Sequence, residues 1–297
     1  MWFKNLTIYR IPANPALTAA SLEEKFALKP LQECGNQDRT SRGWVAPKAN
    51  GPMVHSTQRQ LLIALGNEQK ILPASVVNRF AKDRAAEIEE RQGHPVGRKQ
   101  MQELKEQITE ELLPRAFSSQ RTTLAWIDPV NGWLVVDTPS TAKGEEILET
   151  IGKTVDDFPI RLLKTVQSPV AAMTEWLSGK TSPDGFSIDR DLELSAGEEG
   201  KLRYVSHELE GDEIRAHIEA GKTATRLGMT WNDRISFVLT DTLQIRRLTF
   251  LDLIKEEAEG QAEGADQLFD INFTLMTGEL AKLLDELIAA LGGEMPG

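Results

Sequence analysis

The chain has one cysteine, Cys34, and no apolar run that approaches the ~20 residues needed to cross a membrane. A single cysteine forms no internal disulfide, and residues 1–5 lack the basic start and apolar stretch of a secretory signal. We therefore expect a cytoplasmic protein with no membrane partner. The 297 residues, 40% hydrophobic and 27% charged, exclude a disordered chain and a coiled-coil rod.

Positive charge is also scarce: the chain has 34 Lys and Arg but 45 Asp and Glu, which gives a net charge of −11. The excess of acid is concentrated in residues 251–297, where 11 acidic and 2 basic side chains contribute −9. The rest of the chain is nearly neutral, and the ranges 91–102 and 222–250 are locally basic. Such a body can present a basic face, although ordinary mixed surfaces give the same charge pattern.

Motifs of catalysis are few. Gly221-Lys222-Thr223 satisfies a relaxed phosphate-loop pattern, but a helix precedes it and a strand follows, which is the reverse of a phosphate loop. We expect Gly221 to end that helix. The histidines lack metal-ligand spacing, and Cys34 is interpreted as a small buried hydrophobe. The sequence thus predicts no catalytic residue, no metal site and no cofactor.

Hydrophobic periodicity predicts an α+β fold with mixed or antiparallel sheets. Strands are expected at 6–11, 60–65, 122–127, 133–136, 222–231, 234–240 and 243–250, with Gly66-Asn67 interrupting the second before it resumes at 70–72. Helices are expected after a cap at Ser21, at 75–91, 98–113, 141–154, 174–177 and 212–220, and from 251 to the end. The six tryptophans are expected mainly in the core.

Residues 75–116 form two charged helices with narrow apolar stripes, and Met101, Leu104 and Ile108 belong to the second. Such stripes suit contact with a partner, so we interpret the segment as a projecting helical hairpin arm. Phe117, where the arm rejoins the sheet, is equally consistent with an interface and with the core. The predicted domains are a central sheet domain (1–74 and 117–165), the arm (75–116) and a C-terminal α+β domain (166–297).

Short motifs along the chain carry a family resemblance. They are Trp2-Phe3-Lys4-Asn5, Cys34-Gly35 with Gln37-Asp38 and Gly43-Trp44, Lys70-Ile71-Leu72-Pro73, Leu112-Leu113-Pro114-Arg115-Ala116-Phe117, Trp126-Ile127-Asp128 with Asn131-Gly132, Thr174-Glu175-Trp176, His217-Ile218-Glu219-Ala220-Gly221-Lys222, and Leu275-Met276-Thr277-Gly278-Glu279-Leu280. Each is weak alone, but their order and spacing are specific. With them the chain resembles the family of the recombination-associated protein RdgC of proteobacteria.

The resemblance implies a non-enzymatic, nucleoid-associated homodimer closed into a ring around double-stranded DNA. It implies binding with little sequence preference, and restraint of the recombinase RecA indirectly, through occupation of its DNA. By position, Phe117 would belong to a dimer contact at the arm and Lys222 would face DNA. The chain departs from the family at Ser206-His207, where a Lys-Gln pair is expected, and Arg203 is the candidate to compensate.

The candidate residues follow from these arguments. Lys222 and Arg226 are four apart on a predicted strand, so period-two alternation places both on one face with Ala224 between them. The candidate DNA-binding residues are Lys222, Arg226, Arg203, His207, Arg98, Lys99 and Arg115, and the candidate dimer contacts are Phe117, Met101, Leu104 and Ile108. The alternatives are a phosphate- or nucleotide-handling enzyme at Gly221-Lys222-Thr223 and a protein-binding scaffold without DNA contact.

Overall fold

In the described part of the chain, twelve strands form one sheet. The computed structural model describes residues 1–295 apart from 15, 180, 198–199, 210, 253, 255, 257–259 and 261–263. The strands are β1 Leu6–Arg10, β2 Thr40–Val45, β3 Val54–Thr57, β4 Gln60–Ile71, β5 Phe117–Asp128, β6 Trp133–Asp137, β7 Arg161–Leu162, β8 Phe186–Ser195, β9 Lys201–Tyr204, β10 Thr223–Trp231, β11 Ile235–Thr240 and β12 Ile245–Phe250. Their pairings are antiparallel, which confirms the expected α+β class.

The strand order joins the two ends of the chain in one sheet. It runs β2-β4-β5-β6-β1-β12-β11-β10-β8-β9, with β3 on β4 and β7 on β1. The N-terminal half meets the C-terminal half where β1 pairs with β12, and the register there is the single pair Leu6↔Ile245. The C-terminal strands therefore continue the central sheet, and the domain boundaries given above stay a prediction.

Seven helices accompany the sheet in the described part of the chain. They are α1 Ala19–Phe26, α2 Ala74–Gln92, α3 Arg98–Leu112, α4 Thr141–Thr154, α5 Pro169–Gly179, α6 Asp212–Glu219 and α7 Ala265–Ala290. Helices α1 and α4 cover one face of the N-terminal half, where Phe26 stacks on Trp44 with ring centroids 3.8 Å apart. Helices α5 and α7 cover the opposite face. Part of the helix expected from residue 251 lies outside the described residues.

Helix α7 crosses both halves of the sheet. Near its start, Phe269 meets His55 of β3 edge-on, with ring centroids 5.1 Å apart. At its middle, the backbone N–H of Phe3 donates to Met276 Sδ over 3.2 Å. Near its end, the Trp231 indole N–H donates to Glu286 over 2.6 Å. One helix thus contacts strands on both sides of the β1–β12 pairing.

Helices α2 and α3 pack against each other, at the positions expected for the hairpin. Ile108 of α3 is 2% exposed and lies against Val77 and Ala81 of α2, and Leu104 is 6% exposed. The expectation that this stripe needs a second chain to cover it is wrong for Ile108, which α2 of the same chain covers, and for Leu104, which is buried within the single chain. Met101 is partly buried in the same cluster.

Two local expectations are also corrected. Gly66 does not interrupt a strand, since β4 continues from Gln60 to Ile71. A Cβ at Gly66 would lie 2.7 Å from Leu31 Cδ2 and 2.8 Å from Val45 Cγ1, so close side-chain packing, and not a turn, accounts for glycine here. Helix α1 is capped by Thr18, with Ser21 at the third helical position as the reciprocal partner in the capping box.

The tryptophans lie mainly in the core, as expected. Four of them, Trp44, Trp126, Trp133 and Trp231, are at most 2% exposed. Their burial removes the indole faces from any role in stacking against nucleic-acid bases.

Candidate nucleic-acid interface

Strands β8–β12 have one apolar face and one charged face. The apolar face packs against α5 and α7. Side chains on the other face line a shallow depression, and we call this surface the open sheet face; its charged residues are Asp189, Asp191, Glu193, Lys201, Arg203, Arg226 and Arg247. The alternation of apolar and charged side chains along β8 produces it, because successive strand residues point to opposite faces.

A cross-strand row on this face brings Arg203 and Arg226 together. Glu193 of β8 is in register with Arg203 of β9 on one side and with Arg226 of β10 on the other. The Arg226 guanidinium lies 3.7 Å from the Glu193 carboxylate, and Lys201 Nζ lies 3.4 Å from it. Among the described residues Arg203 has no ion-pair partner. Two cations thus pair with the Glu193 carboxylate, and Arg203 is its cross-strand neighbour.

A β-bulge determines which residues of β10 join this row. The register between β8 and β10 shifts between Ala224 and Arg226. Ala224 is fully buried on the apolar face, whereas Arg226 is on the open sheet face. The expectation that Ala224 shares a face with Arg226 is wrong, because the extra residue Thr225 reverses the alternation.

Burial, hydrogen bonds and neighbouring charges shift the pKa values of Glu193 and Asp189 on this face in opposite directions. Burial acts to raise the pKa of Glu193, but Arg226, the Thr225 hydroxyl and Lys201 together hold that pKa below its ordinary value. The Thr230 hydroxyl donates its one proton between the two carboxylate oxygens of Asp189, yet burial and the neighbouring Asp191 raise the pKa of Asp189. Glu193 is therefore a firmly ionised carboxylate among the cations.

Lys222 and His207 both contact helix α6, whose Ile214 packs in the same apolar cluster as Ala224, so the expectation that Lys222 shares a face with Arg226 is wrong as well. Lys222 directly precedes β10, and its Nζ is 3.3 Å from Nδ1 of His217. His207 follows β9, where its ring contacts Tyr204 with centroids 5.2 Å apart and its Nε2 lies 3.5 Å from Glu213. Neither side chain joins the row of Arg203 and Arg226.

The remaining candidate cations lie elsewhere in the fold. Arg98 and Lys99 begin α3, and Arg115 lies in the 3₁₀ turn between α3 and β5; all three are exposed. The strand order places β5 in the other half of the sheet from β8–β12. One chain therefore does not bring these three residues together with Arg203 and Arg226.

An exposed apolar pair stands at the far end of β4 and β5. Phe117 is 85% exposed, and its cross-strand partner Ile71 is 53% exposed. Of the two positions that the sequence left open for Phe117, the structure excludes the core of the single chain. A side chain of this size in water is suited to an interface.

Gly221-Lys222-Thr223 and Cys34 do not form the phosphate-binding or nucleophilic sites considered from the sequence. Helix α6 precedes Gly221, whose φ is +90°, and β10 follows it, so Gly221 ends a helix as expected. Burial raises the pKa of the Cys34 thiol, and nearby Glu68 adds to this, the opposite of an activated nucleophile. Within the described ranges, three or more His, Cys, Asp or Glu side chains nowhere converge as a metal site, and no helix has the length and apolarity to span a membrane.

Comparison with known proteins identifies the family. A family model described as "Putative exonuclease, RdgC" matches residues 1–294. The chain belongs to the RdgC family. Proteins named "Recombination-associated protein RdgC" are similar to it over 99% of both chains: 53% identical in Janthinobacterium sp. (strain Marseille), 52% in Herminiimonas arsenicoxydans and 51% in Dechloromonas aromatica (strain RCB). The resemblance inferred from the motifs is confirmed.

In this RdgC-family chain, the sequence alone did not indicate Lys201, Glu193 and Arg247 as residues of the open sheet face. The signal was present, since Lys201-Leu202-Arg203-Tyr204 and residues 189–194 alternate charged and apolar side chains. Acidic residues are uncommon in strands, so the sequence did not predict β8. Arg247, 2.8 Å from Asp191, shares the face only through the pairing of strands distant in sequence.

Proposed function

We propose that this chain is a DNA-binding protein that acts in recombination as a homodimer. It binds double-stranded DNA with little sequence preference through Lys and Arg contacts to phosphates. The relatives are named recombination-associated proteins, which supports a role in recombination. The open sheet face supports the binding mode.

The observation that carries the proposal is the row of Arg203, Glu193 and Arg226, with Lys201 beside it. Neighbouring strands are about 4.8 Å apart, so the two arginines are separated by roughly 10 Å across the sheet. Cations on a β-surface can meet phosphates along a DNA backbone, and such contacts carry no sequence information. The described part of the face presents no helix that could enter a groove and read base edges, so discrimination between sequences is small.

The dimer of the proposal closes into a ring around the duplex. Phe117 and Ile71 form the contact between copies at the end of the β4–β5 ribbon, and Arg98, Lys99 and Arg115 near that end add cations to the hole. Lys222 and His207, which lie beside α6, are further proposed contacts to the duplex. In such a ring, the duplex that is occupied is withheld from RecA, without any contact between the two proteins.

In this proposal the protein is not an enzyme. The description of the family model names an exonuclease, so the point needs a direct test. End-labelled single- and double-stranded DNA, incubated with the protein and Mg²⁺ or Mn²⁺, should keep its length. Progressive shortening that depends on the protein would establish a nuclease instead.

The binding proposal is tested by fluorescence anisotropy with two duplexes of equal length and unrelated sequence. The two should bind with similar affinity, and the logarithm of affinity should fall with the logarithm of salt by about 0.9 per phosphate contact. Arg203→Ala and Arg226→Ala should each weaken both duplexes alike and reduce the slope by roughly one unit.

Lys282→Ala is the matched control, since this exposed lysine is on α7 at the opposite face of the sheet. It removes the same charge and should leave DNA affinity unchanged. Equal effects of all three variants, or a strong preference for one duplex, would contradict the assignment of the open sheet face.

A further inference from the structure

Glu193 is the one carboxylate in the row that joins Arg203 and Arg226, and three features hold it there. Its side chain is 12% exposed. The Thr225 hydroxyl shares its one proton between Oε1 of Glu193, at 3.2 Å, and the backbone carbonyl of Glu193, at 3.3 Å. The bulge that turns Arg226 toward this face also supplies Thr225. The carboxylate is therefore fixed among the cations and does not swing freely on the surface.

The position of Glu193 sets up a competition. Arg226 at 3.7 Å and Lys201 at 3.4 Å already pair with this carboxylate. A DNA phosphate that approaches either cation must replace or share that partner, and it meets a like charge at the same time. Both effects lower the gain from each phosphate contact, because charges in contact interact strongly where water is partly excluded.

We propose that Glu193 limits the affinity of the open sheet face for DNA, by acting as an intramolecular substitute for phosphate. This inference rests on the proposed function and adds to it the residue that regulates the same site. A limited affinity allows the protein to release and rebind duplex quickly, so that it can occupy DNA without being trapped on it. The fixed carboxylate gives this property at the cost of tight binding.

Glu193→Gln tests the proposal, because it keeps the size of the side chain and removes the charge. At about 0.1 M salt, the variant should bind duplex roughly 3- to 10-fold more tightly than the wild type. The slope of log affinity against log salt should become steeper by up to about 0.9, as one more cation becomes available to phosphate. Glu193→Asp, which keeps the charge, should bind within about twofold of the wild type.

Glu279→Gln is the matched control. Glu279 has a 9% exposed side chain and pairs with Arg234 at 2.7 Å and Lys282 at 3.4 Å, but it lies on α7 at the other face of the sheet. Removing its charge changes the net charge of the protein equally and should leave DNA affinity at the wild-type value. A gain in this variant would mean that net charge alone controls binding, and it would overturn the role of Glu193.

Glu193→Thr provides a second neutral variant suited to a strand, in case the glutamine variant does not fold. Melting temperatures confirm which variants are folded. If the wild type binds DNA and Arg226→Ala weakens binding, but the folded neutral variants bind no more tightly than the wild type, the role of Glu193 is refuted and the proposed function stands. If the wild type itself does not bind duplex, both fail.

Discussion

The imidazole Nε2 of His55 lies 3.2 Å from Oδ1 of Asp270, and this contact joins β3 to the first turns of α7. The rings of Phe269 and Phe273 stand edge-on to the imidazole. Burial lowers the pKa of His55, against the opposing effect of Asp270, and the ammonium of Lys48 lowers it further. The attachment of α7 to the N-terminal half of the sheet therefore includes a histidine that resists protonation.

The stability of the fold should depend on pH through His55. Its pKa in the folded state lies below the ordinary value of 6.5, so the folded protein binds fewer protons than the unfolded chain as pH falls. The contribution is complete above pH 6.5 and is lost as pH falls through the folded pKa. Between about pH 7.5 and pH 5.5, the melting temperature of the wild type should fall more than that of His55→Gln. Other titrating groups cancel in this comparison, and identical pH dependence would contradict the prediction.

Phe117→Ala should weaken the association between copies. The side chain is 85% exposed, so its loss should leave the folding of one chain almost unchanged. A central aromatic contact is worth about 2 kcal/mol or more to an interface, and sedimentation equilibrium measures the change. Leu28→Ala, at a residue that is 77% exposed, is the control and should not alter association. A wild-type protein that is monomeric at micromolar concentration would refute the dimer.

Lys222 distinguishes DNA binding from nucleotide binding. Lys222→Ala should weaken all duplexes about equally and reduce the salt slope by roughly one unit, whereas Lys222→Arg should keep most of the affinity. Neither the wild type nor the variants should bind nucleotide. Gly221-Lys222-Thr223 follows helix α6 instead of preceding a helix, and Nζ of Lys222 lies 3.3 Å from Nδ1 of His217. Wild-type DNA affinity in both variants would place Lys222 outside the binding surface.

Gly43→Ala should destabilise the fold, because an added Cβ would lie 2.4 Å from the backbone nitrogen of Leu31. Backbone cannot move aside as a side chain can, so we expect a loss of about 1–3 kcal/mol in the free energy of unfolding. Gly152→Ala is the control: this glycine is in α4 and no atom lies within 4 Å of its added Cβ. It should gain up to about 1 kcal/mol from helix propensity, and urea unfolding measures both changes.

Periodicity in the sequence predicted the elements that bury one face. Helices α3, α4 and α6, and strands β10–β12, lie within a few residues of the expected bounds. Periodicity does not show which partner covers an apolar stripe: it suggests a second chain for Leu104 and Ile108, whereas both are buried within one chain and α2 covers Ile108. The expected break at Gly66 has a similar origin, since Leu31, distant in sequence, determines the need for glycine.

Of the candidate site, the sequence indicated Arg203 and Arg226 separately, and their alignment follows from strand pairing. The bulge at Thr225 could not be read from the sequence, because it depends on the register between β8 and β10. The role of Glu193 could not be predicted for a related reason. An acidic residue can be placed in a basic row only when the strands next to it are known. Local patterns thus predicted the elements and some of the cations, and long-range pairing determined the site.

Helix α7 has a mechanical consequence for a ring of such chains. At 26 residues it is roughly 39 Å long, and it is attached to β3 near one end and to β10 near the other. Helix α7 therefore bridges the two halves of the sheet across the β1–β12 pairing, whose register is the single pair Leu6↔Ile245. Flexing the sheet there would require detaching the helix from one half. A closed ring would therefore admit DNA by parting two subunits, while each subunit stays stiff.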